Sequence, residues 1–593
     1  MRDPTVKGAG GPGLAEAATV FDPDKPLHDY SESERELLLY GGGFRTQRPH
    51  GDGPGHVALN DYEGVVPRFT RRFIKPGLES LSDRERESAE RVVTEAACPE
   101  CGGARLNERA LASRIEGYRI ADLCAMEIRE LTRVLGGLAV ARDPVGGPAV
   151  GAALAALGRI DAVGLGYLTL ERPTKTLSGG EGQRLKTVRH LGSSLTGMTY
   201  IFDEPSVGLH AREVDRLNGS LLALRDKGNT VLIVEHDRDV IEIADHVVDV
   251  GPGAGTSGGE IVFEGTVGEL AESGTTTGRH FRERTGLKPT ARRRWPSGVL
   301  TVRAASFRNL KNVSVDIPAG VLTVVTGLAG SGKSTLVGVF AARHPEAIVL
   351  DQSAAGISAR STPATYTDIW DLVRRMYARR HGVDAGLFSF NTTGACPDCR
   401  GRGSVTMDMA FMDPVTTVCE GCAGRRFRAE VLSYRMHGKN VVDLLNMTVE
   451  EALEHFTDPA ILRRLSPLRE VGLGYLTLGR PLSLLSGGER QRIKLAHRLH
   501  ETGSVYVFDE PTTGLHMADV KTLLALLDRL VDAGNTVIVV EHDLDVVKHA
   551  DHVIDIGPEA GADGGEVVFA GTPEEMARIS RTHTADYLRR SLP

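Results

Sequence analysis

The sequence predicts an α/β protein made of two copies of one parallel-sheet unit, and three observations carry that prediction. The string LSGGEGQR at 177–184 returns as LSGGERQR at 485–492. Each copy is followed by an apolar run ending in Asp-Glu-Pro, at 203–205 and again at 509–511. Short apolar runs rich in β-formers (200–202, 230–234, 506–508, 536–540) alternate with helical stretches such as 211–226 and 517–533. That alternation is the pattern of parallel strands joined by crossover helices.

The repeat extends well beyond the signatures. GLGYLTLERP at 164–173 recurs as GLGYLTLGRP at 472–481, and TYIFDEPSVGLH at 199–210 recurs as VYVFDEPTTGLH at 505–516. NTVLIVEHDRDVI at 229–241 recurs as NTVIVVEHDLDVV at 535–547. A repeat of about 300 residues is far longer than a solenoid unit, so a whole half is duplicated. A chain of 593 residues suggests roughly four domains. The boundaries expected are 1–97 as the remnant of an insertion, 98–270 as the first half, and 271–298 as a polar, basic linker. The second half then divides into 299–395, 396–428, 429–500 and 501–593.

Composition excludes little. The net charge of −8 gives no global nucleic-acid signature, although arginines cluster at 292–294, 374–380 and 425–428. No run approaches the ~18 apolar residues of a membrane helix, and no signal-peptide core begins the chain, so a cytoplasmic protein with no membrane partner is expected. Seven cysteines in such a chain point to metal binding or free thiols rather than disulfides.

The strand-like run VLTVVT at 321–326 leads directly into GLAGSGKST at 327–335, and a helix begins near 334. Strand, glycine loop and helix in that order make a phosphate cradle, with backbone N–H groups wrapped around phosphates at the positive end of the helix. Gly327, Gly330, Ser331, Gly332 and Thr335 shape the cradle. Lys333 is expected to reach the β- and γ-phosphates of ATP, and Ser334 to place its hydroxyl on Mg²⁺. Asp509, ending a buried strand, is expected to hold the metal through water. Glu510 is the candidate base for water attack, with His542 and Gln352 as candidate contacts to the γ-phosphate and attacking water. Asp-Glu after a strand can also be a helix cap, a lone His at a strand end is often structural, and a loop Gln is ordinary. The twin of His542 at His236 favours function.

Ser178, Gly179 and Gly180, and their repeat at 486–488, stand at a helix start, where a hydroxyl and free N–H groups face an anion. Cys396, Cys399, Cys419 and Cys422 form C-x2-C-x19-C-x2-C with glycine-rich knuckles, which suits a closed structural Zn²⁺ site. Cys98 and Cys101 match only half of such a site. The upstream counterpart, 8–13, has glycines where thiols would stand.

The signature and Asp-Glu motifs resemble ATP-binding cassette proteins. In that class each signature closes on the nucleotide of the opposite half. The zinc module between P-loop and signature narrows the resemblance to the UvrA family, the damage-sensing ATPases of the bacterial excinuclease. The residues that carry it are FRNLKNVSVDIPAG (307–320), the P-loop, DQS (351–353), RSTPATYT (360–367), FSFNTTGACPDCRGRG (388–403) and LSGGERQRIKLA (485–496). The resemblance implies an ATPase that is not itself a nuclease, a homodimer on double-stranded DNA, and a role in damage recognition for nucleotide excision repair. It implies that Lys333, Ser334, Gln352, Asp509, Glu510 and His542 work with Ser178, Gly179 and Gly180 in one ATP site. It also makes Arg400, Arg402, Arg425 and Arg426 phosphate contacts to DNA.

The match departs from the family in its first half. Only one P-loop occurs, so the chain is expected to lack the family's N-terminal P-loop portion and the docking region for UvrB that follows it. Two alternative functions are a UvrA-like resistance protein that protects DNA from intercalating drugs, and an ATP-gated DNA-binding scaffold without turnover.

Overall fold

The computed structural model describes residues 25–42, 45–49, 57–75, 89, 92–93, 96–177, 179–192, 195–253, 255, 258–351, 360–409, 412–499 and 503–593. The chain divides into two compact units, Met1–Glu108 and Arg109–Pro593. In the first, the helix Glu32–Tyr40 starts on a capping box in which Ser31 accepts from the N–H of Glu34 while the Glu34 carboxylate accepts from the N–H of Ser31. An antiparallel pair, Arg45–Pro49 with Val57–Asp61, and a short helix, Val65–Phe69, running on into a π-helical turn, Thr70–Ile74, follow it. The second unit holds both repeats.

In the first repeat a short hairpin, Arg114–Ile115 with Tyr118–Arg119, precedes four longer strands, β1 (Thr199–Asp203), β2 (Thr230–Val234), β3 (Val247–Gly251) and β4 (Glu260–Gly265). β1 pairs with β2 in parallel, and β3 pairs with β4 antiparallel. Helix α1 (Gly179–Leu191) carries the signature, α2 (Ala211–Asp226) follows the Asp-Glu-Pro turn, and α3 (Thr276–Arg282) lies beyond β4. Tyr200 and Phe202 on one face of β1 pack against Val214, Leu217, Leu221 and Leu224 of α2. The i, i+3/i+4 spacing of those residues puts them on one stripe of the helix.

The second repeat begins with the hairpin β5 (Gly298–Ala305) and β6 (Val313–Ala319). Then come β7 (Leu322–Gly327), helix α4 (Lys333–Arg343) and β8 (Ile348–Leu350). A β-ribbon follows, β9 (Ser404–Met409) with β10 (Met412–Val418), then the signature helix α5 (Gly487–Arg498). β11 (Val505–Asp509), helix α6 (Met517–Asp532), β12 (Thr536–Val540), β13 (His552–Gly557), β14 (Glu566–Gly571) and helix α7 (His583–Ser591) complete it. Six of these strands form one sheet in the order β8-β11-β12-β7-β13-β14, parallel except for the last pair. Every residue of β7 and β12 is buried, as expected for central strands covered on both faces. The P-loop strand β7 therefore sits at the middle of the sheet, between β12 and β13. The phosphate loop emerges at its carboxyl end, where open α/β sheets place their ligands.

The stretch 271–298, expected as the linker between the halves, packs against the second repeat. Lys288 is buried, with its Nζ 2.8 Å from Asp551 Oδ1 and 3.5 Å from Asp528 Oδ1. Arg294 spans Asp528, Asp532 and Asp551. Among the described residues no helix is long and apolar enough to cross a membrane.

Candidate functional site

The P-loop Gly327–Thr335 owes its shape to three glycines with positive φ, at 132° for Gly327, 75° for Gly330 and 113° for Gly332. Gly327 cannot carry a side chain, because a Cβ there would lie 2.0 Å from Ile556 O. Lys333 is buried at the first turn of α4, and its Nζ donates to Gly327 O (3.1 Å) and Leu328 O (2.8 Å). Burial pulls the Lys333 ammonium below its ordinary pKa, against the nearby charge of Glu510 and Glu213. Ser331 is wholly buried with an Oγ that has no hydrogen-bond partner. A buried donor at the centre of a glycine cradle is a place for phosphate oxygens. Ser334 is exposed at the start of α4, and Thr335 is half-buried.

Asp509 ends β11 beside the loop. Burial and the adjacent Glu510 charge raise its carboxyl to about 6. Glu510 sits in the left-handed region (φ 47°). Burial would raise its pKa, but the His542 imidazole, 3.4 Å away, together with the charges of Lys333 and Arg184 holds Glu510 below the usual carboxylate value. A carboxylate kept ionised next to the P-loop lysine is suited to take a proton from water. Gln352 and Ser178 lie outside the described residues. Gly179 and Gly180 open α1, and a Cβ on Gly180 would lie 2.8 Å from Val207 O.

The first repeat supplies the rest of the pocket. The Tyr167 ring lies over Gly330, so that a Cβ there would come within 2.7 Å of it. Tyr167 donates to Glu181 Oε1 (2.5 Å), and Arg172 pairs with Glu181 at 3.2 Å. Glu213, at the start of α2, accepts from the P-loop N–H of Ala329 (3.2 Å) and lies 3.7 Å from Arg184. A Cβ on Gly208 would lie 3.2 Å from Glu510 Oε2. His210, wholly buried, accepts the Arg212 N–H at Nδ1, which leaves its proton on Nε2, 3.1 Å from Thr584 Oγ1. Thr584 in turn donates to Asp555 Oδ1 (3.1 Å). Burial lowers the His210 pKa well below the usual range, so this relay runs through a neutral imidazole.

The same arrangement is mirrored at the other end of the seam. His516 accepts the Ala518 N–H, its Nε2 lies 3.0 Å from Thr277 Oγ1, and Thr277 donates to Asp249 Oδ1 (2.8 Å). Glu204 (φ 44°) is paired with His236 at 3.5 Å, and a Cβ on Gly514 would lie 3.4 Å from Glu204 Oε2. Across from them Ser486 caps α5, accepting from the Glu489 N–H. The two repeats thus face each other head to tail. Among the described residues only one of the two facing sites has a phosphate loop.

The metal module is a separate buried knot. Cys396, Cys399, Cys419 and Cys422 are all buried, with their sulfurs within 4.8 Å of one another. Cys399 and Cys422 Sγ are 3.7 Å apart. A tetrahedron with Zn–S bonds of about 2.3 Å separates its sulfurs by about 3.8 Å, so the four thiols fit a zinc ion. Arg400 and Ala423, each following the second Cys of its pair, take positive φ and turn the knuckles back. Cys98 is exposed, and no other metal-competent cluster occurs among the described residues. The earlier stretch 8–13 lies outside them. Arg400, Arg402 and Arg425 are exposed around the knot. Arg426 is half-buried beside them: its guanidinium lies 5.3 Å over the Phe390 ring, and much of it is desolvated there.

Glu213, His210, Tyr167, Thr584 and Asp555 were not singled out by motif. The repeated GLH at 208–210 and 514–516 was the available signal for His210.

Duplicated parallel-sheet halves that face head to tail across a P-loop and a signature helix define an ATP-binding cassette protein with an inserted four-cysteine module. No protein-family model matches the chain. Its structure is similar to that of UvrA2 from Deinococcus radiodurans, with a TM-score of 0.85 and 37% identity over 98% of this chain and 78% of that one. It is 44% identical over 615 residues to the UvrABC system protein A of Aquifex aeolicus, and 43% identical over 609 residues to that of Micrococcus luteus. The chain belongs to the UvrA family. It covers 96% of its own length in those two alignments, but spans only 64% and 61% of the relatives.

Proposed function

We propose that the protein is an ATP-hydrolysing, DNA-binding member of this family that acts in damage recognition for nucleotide excision repair. The observation that carries the reading is the composite pocket, in which Tyr167, Gly208 and Glu213 of the first repeat close over the P-loop and Glu510 of the second. Nucleotide bound there would touch both repeats, so its arrival and hydrolysis would set how firmly they close.

Bound Mg²⁺ would supply neutralising charge to the β- and γ-phosphates. Ser334 and Asp509 are the residues that would hold it, through a hydroxyl and a carboxylate. Lys333 exchanges its two loop carbonyls for phosphate oxygens. Glu510 takes the proton of the attacking water as the new O–P bond forms. The bond to the β-phosphate oxygen breaks, and its electron pair leaves with ADP. His542 keeps Glu510 ionised and faces the same space.

Arg400, Arg402 and Arg425 around the zinc knot would neutralise backbone phosphates without reading sequence, which suits a sensor of distorted duplex. A homodimer and a cytoplasmic location belong to this reading. Steady-state ATP hydrolysis against Lys333→Ala tests its catalytic part, and turnover no higher than that variant's would reject it. Binding to lesion-bearing and intact duplex at low salt tests the rest; no binding to either would reject the DNA assignment. Pull-down with UvrB then separates lesion hand-over from simple protection of DNA.

A further inference from the structure

The phosphate loop donates to an anion that comes from the other repeat. Glu213 stands buried in the first turn of α2. Its Oε2 accepts the N–H of Ala329, inside the P-loop, at 3.2 Å, and the N–H of His210 at 3.1 Å. Its Oε1 lies 3.7 Å from the Arg184 guanidinium on the signature helix α1. The carboxylate is seated against Gly164, whose φ is 78° and where a Cβ would come within 2.8 Å of Oε1. A glycine-rich loop offers its backbone N–H groups to phosphate oxygens. A carboxylate oxygen on one of those donors takes the position of a phosphate oxygen, with charge of the same sign.

Two observations separate this contact from an ordinary helix cap. The capping box of α2 is complete within the first repeat: Glu213 accepts the N–H of His210, and the His210 ring accepts the N–H of Arg212. It needs nothing from the P-loop. The second repeat supplies the control, because GLHARE at 208–213 is matched there by GLHMAD at 514–519. Asp519 is one methylene shorter and exposed, and α6 starts without the reciprocal box. A helix in this position therefore forms without a buried carboxylate at its first turn. The reach to Ala329 belongs to the length and burial of Glu213.

We propose that the Glu213 carboxylate is an internal competitor of the nucleotide, an anion held in the P-loop of the opposite repeat that the phosphates displace when they bind. The proposal rests on the ATP-site reading given above. Two anions cannot share the Ala329 N–H, so that donor passes from Glu213 to a phosphate oxygen. One direct tie between the repeats is thereby exchanged for one made through the nucleotide. The Arg184 charge, which Glu213 faces, becomes available to the phosphates. The nucleotide loses part of its binding energy to this exchange.

The test is equilibrium binding of the non-hydrolysable β,γ-imido analogue of ATP, with Mg²⁺, to the full chain and to Glu213→Gln. The amide keeps the side-chain length and an acceptor for the two N–H groups, and removes the charge. Binding should tighten by at least about fivefold, the effect of one like charge about 4 Å away even at the dielectric of water. Glu213→Asp keeps the charge and withdraws it by one methylene, and should tighten binding by less. A residue that only supports the fold gives the opposite sign, with a lower melting temperature and weaker binding. Unchanged or weaker binding by Glu213→Gln, or by Glu213→Asp where the amide variant does not fold, would overturn the proposal and leave the ATP site standing. Failure of the unaltered chain to bind the analogue would overturn both.

Discussion

Two glycines related by the repeat offer a matched test of which facing site does chemistry. Gly208 and Gly514 have nearly equal left-handed backbones, φ 70° and 66°, and each faces the glutamate of the opposite repeat. An alanine at either position carries the same backbone cost, about 1 kcal/mol. At Gly208 the new methyl would stand 3.2 Å from Glu510 Oε2; at Gly514 it would stand 3.4 Å from Glu204 Oε2. Carbon prefers a separation nearer about 3.5 Å, so Glu510 must yield by a few tenths of an ångström, whereas the contact with Glu204 is close to ordinary packing. Misplacing a reacting group by about 1 Å costs about 10²-fold, so a shift of that size at Glu510 should slow hydrolysis by about 3- to 10-fold. Glu204 has no described phosphate loop beside it, and Gly514→Ala should leave turnover unchanged. Single-turnover hydrolysis, nucleotide binding and thermal unfolding of both variants provide the comparison. Similar melting with a rate loss confined to Gly208→Ala is expected. Equal rate losses, or a loss only in Gly514→Ala, would refute the assignment of chemistry to Glu510.

Three further outcomes follow from the geometry. Asp509 is held near 6, above its ordinary value, so it is protonated on the acid side. Mg²⁺ affinity in the nucleotide complex should therefore fall by up to about tenfold per pH unit once pH drops below about 6, as read by metal titration at fixed nucleotide. The purified chain should carry one zinc, and Cys419→Ser should abolish it and expose the 396–428 module to protease, with Lys333-dependent nucleotide binding retained. Lys288→Met should cost about 3 kcal/mol in urea unfolding, the low end for a broken buried pair, because Arg294 still reaches Asp551.

Motif spacing made the P-loop, the Asp509–Glu510 pair, His542 and the four cysteines legible, because each is a local string whose chemistry depends on its own strand, loop or helix. The cross-repeat groups were not legible in that way. Glu213 meets Ala329, and His210 meets Thr584, only once the halves face each other, and pairs separated by 116 and 374 residues leave no local pattern. The contacts of the stretch 271–298 were hidden for a different reason. Its lysine and arginines look solvated by composition, yet three aspartates of the second repeat draw Lys288 and Arg294 inward. Arg426 likewise reads as a surface charge until Phe390 supplies a ring for it.

The twin relays, His210–Thr584–Asp555 and His516–Thr277–Asp249, have a mechanical consequence. Each fastens one end of the seam, and each crosses from one repeat to the other. Releasing both at once costs two sets of buried hydrogen bonds, whereas releasing one leaves the other as a pivot.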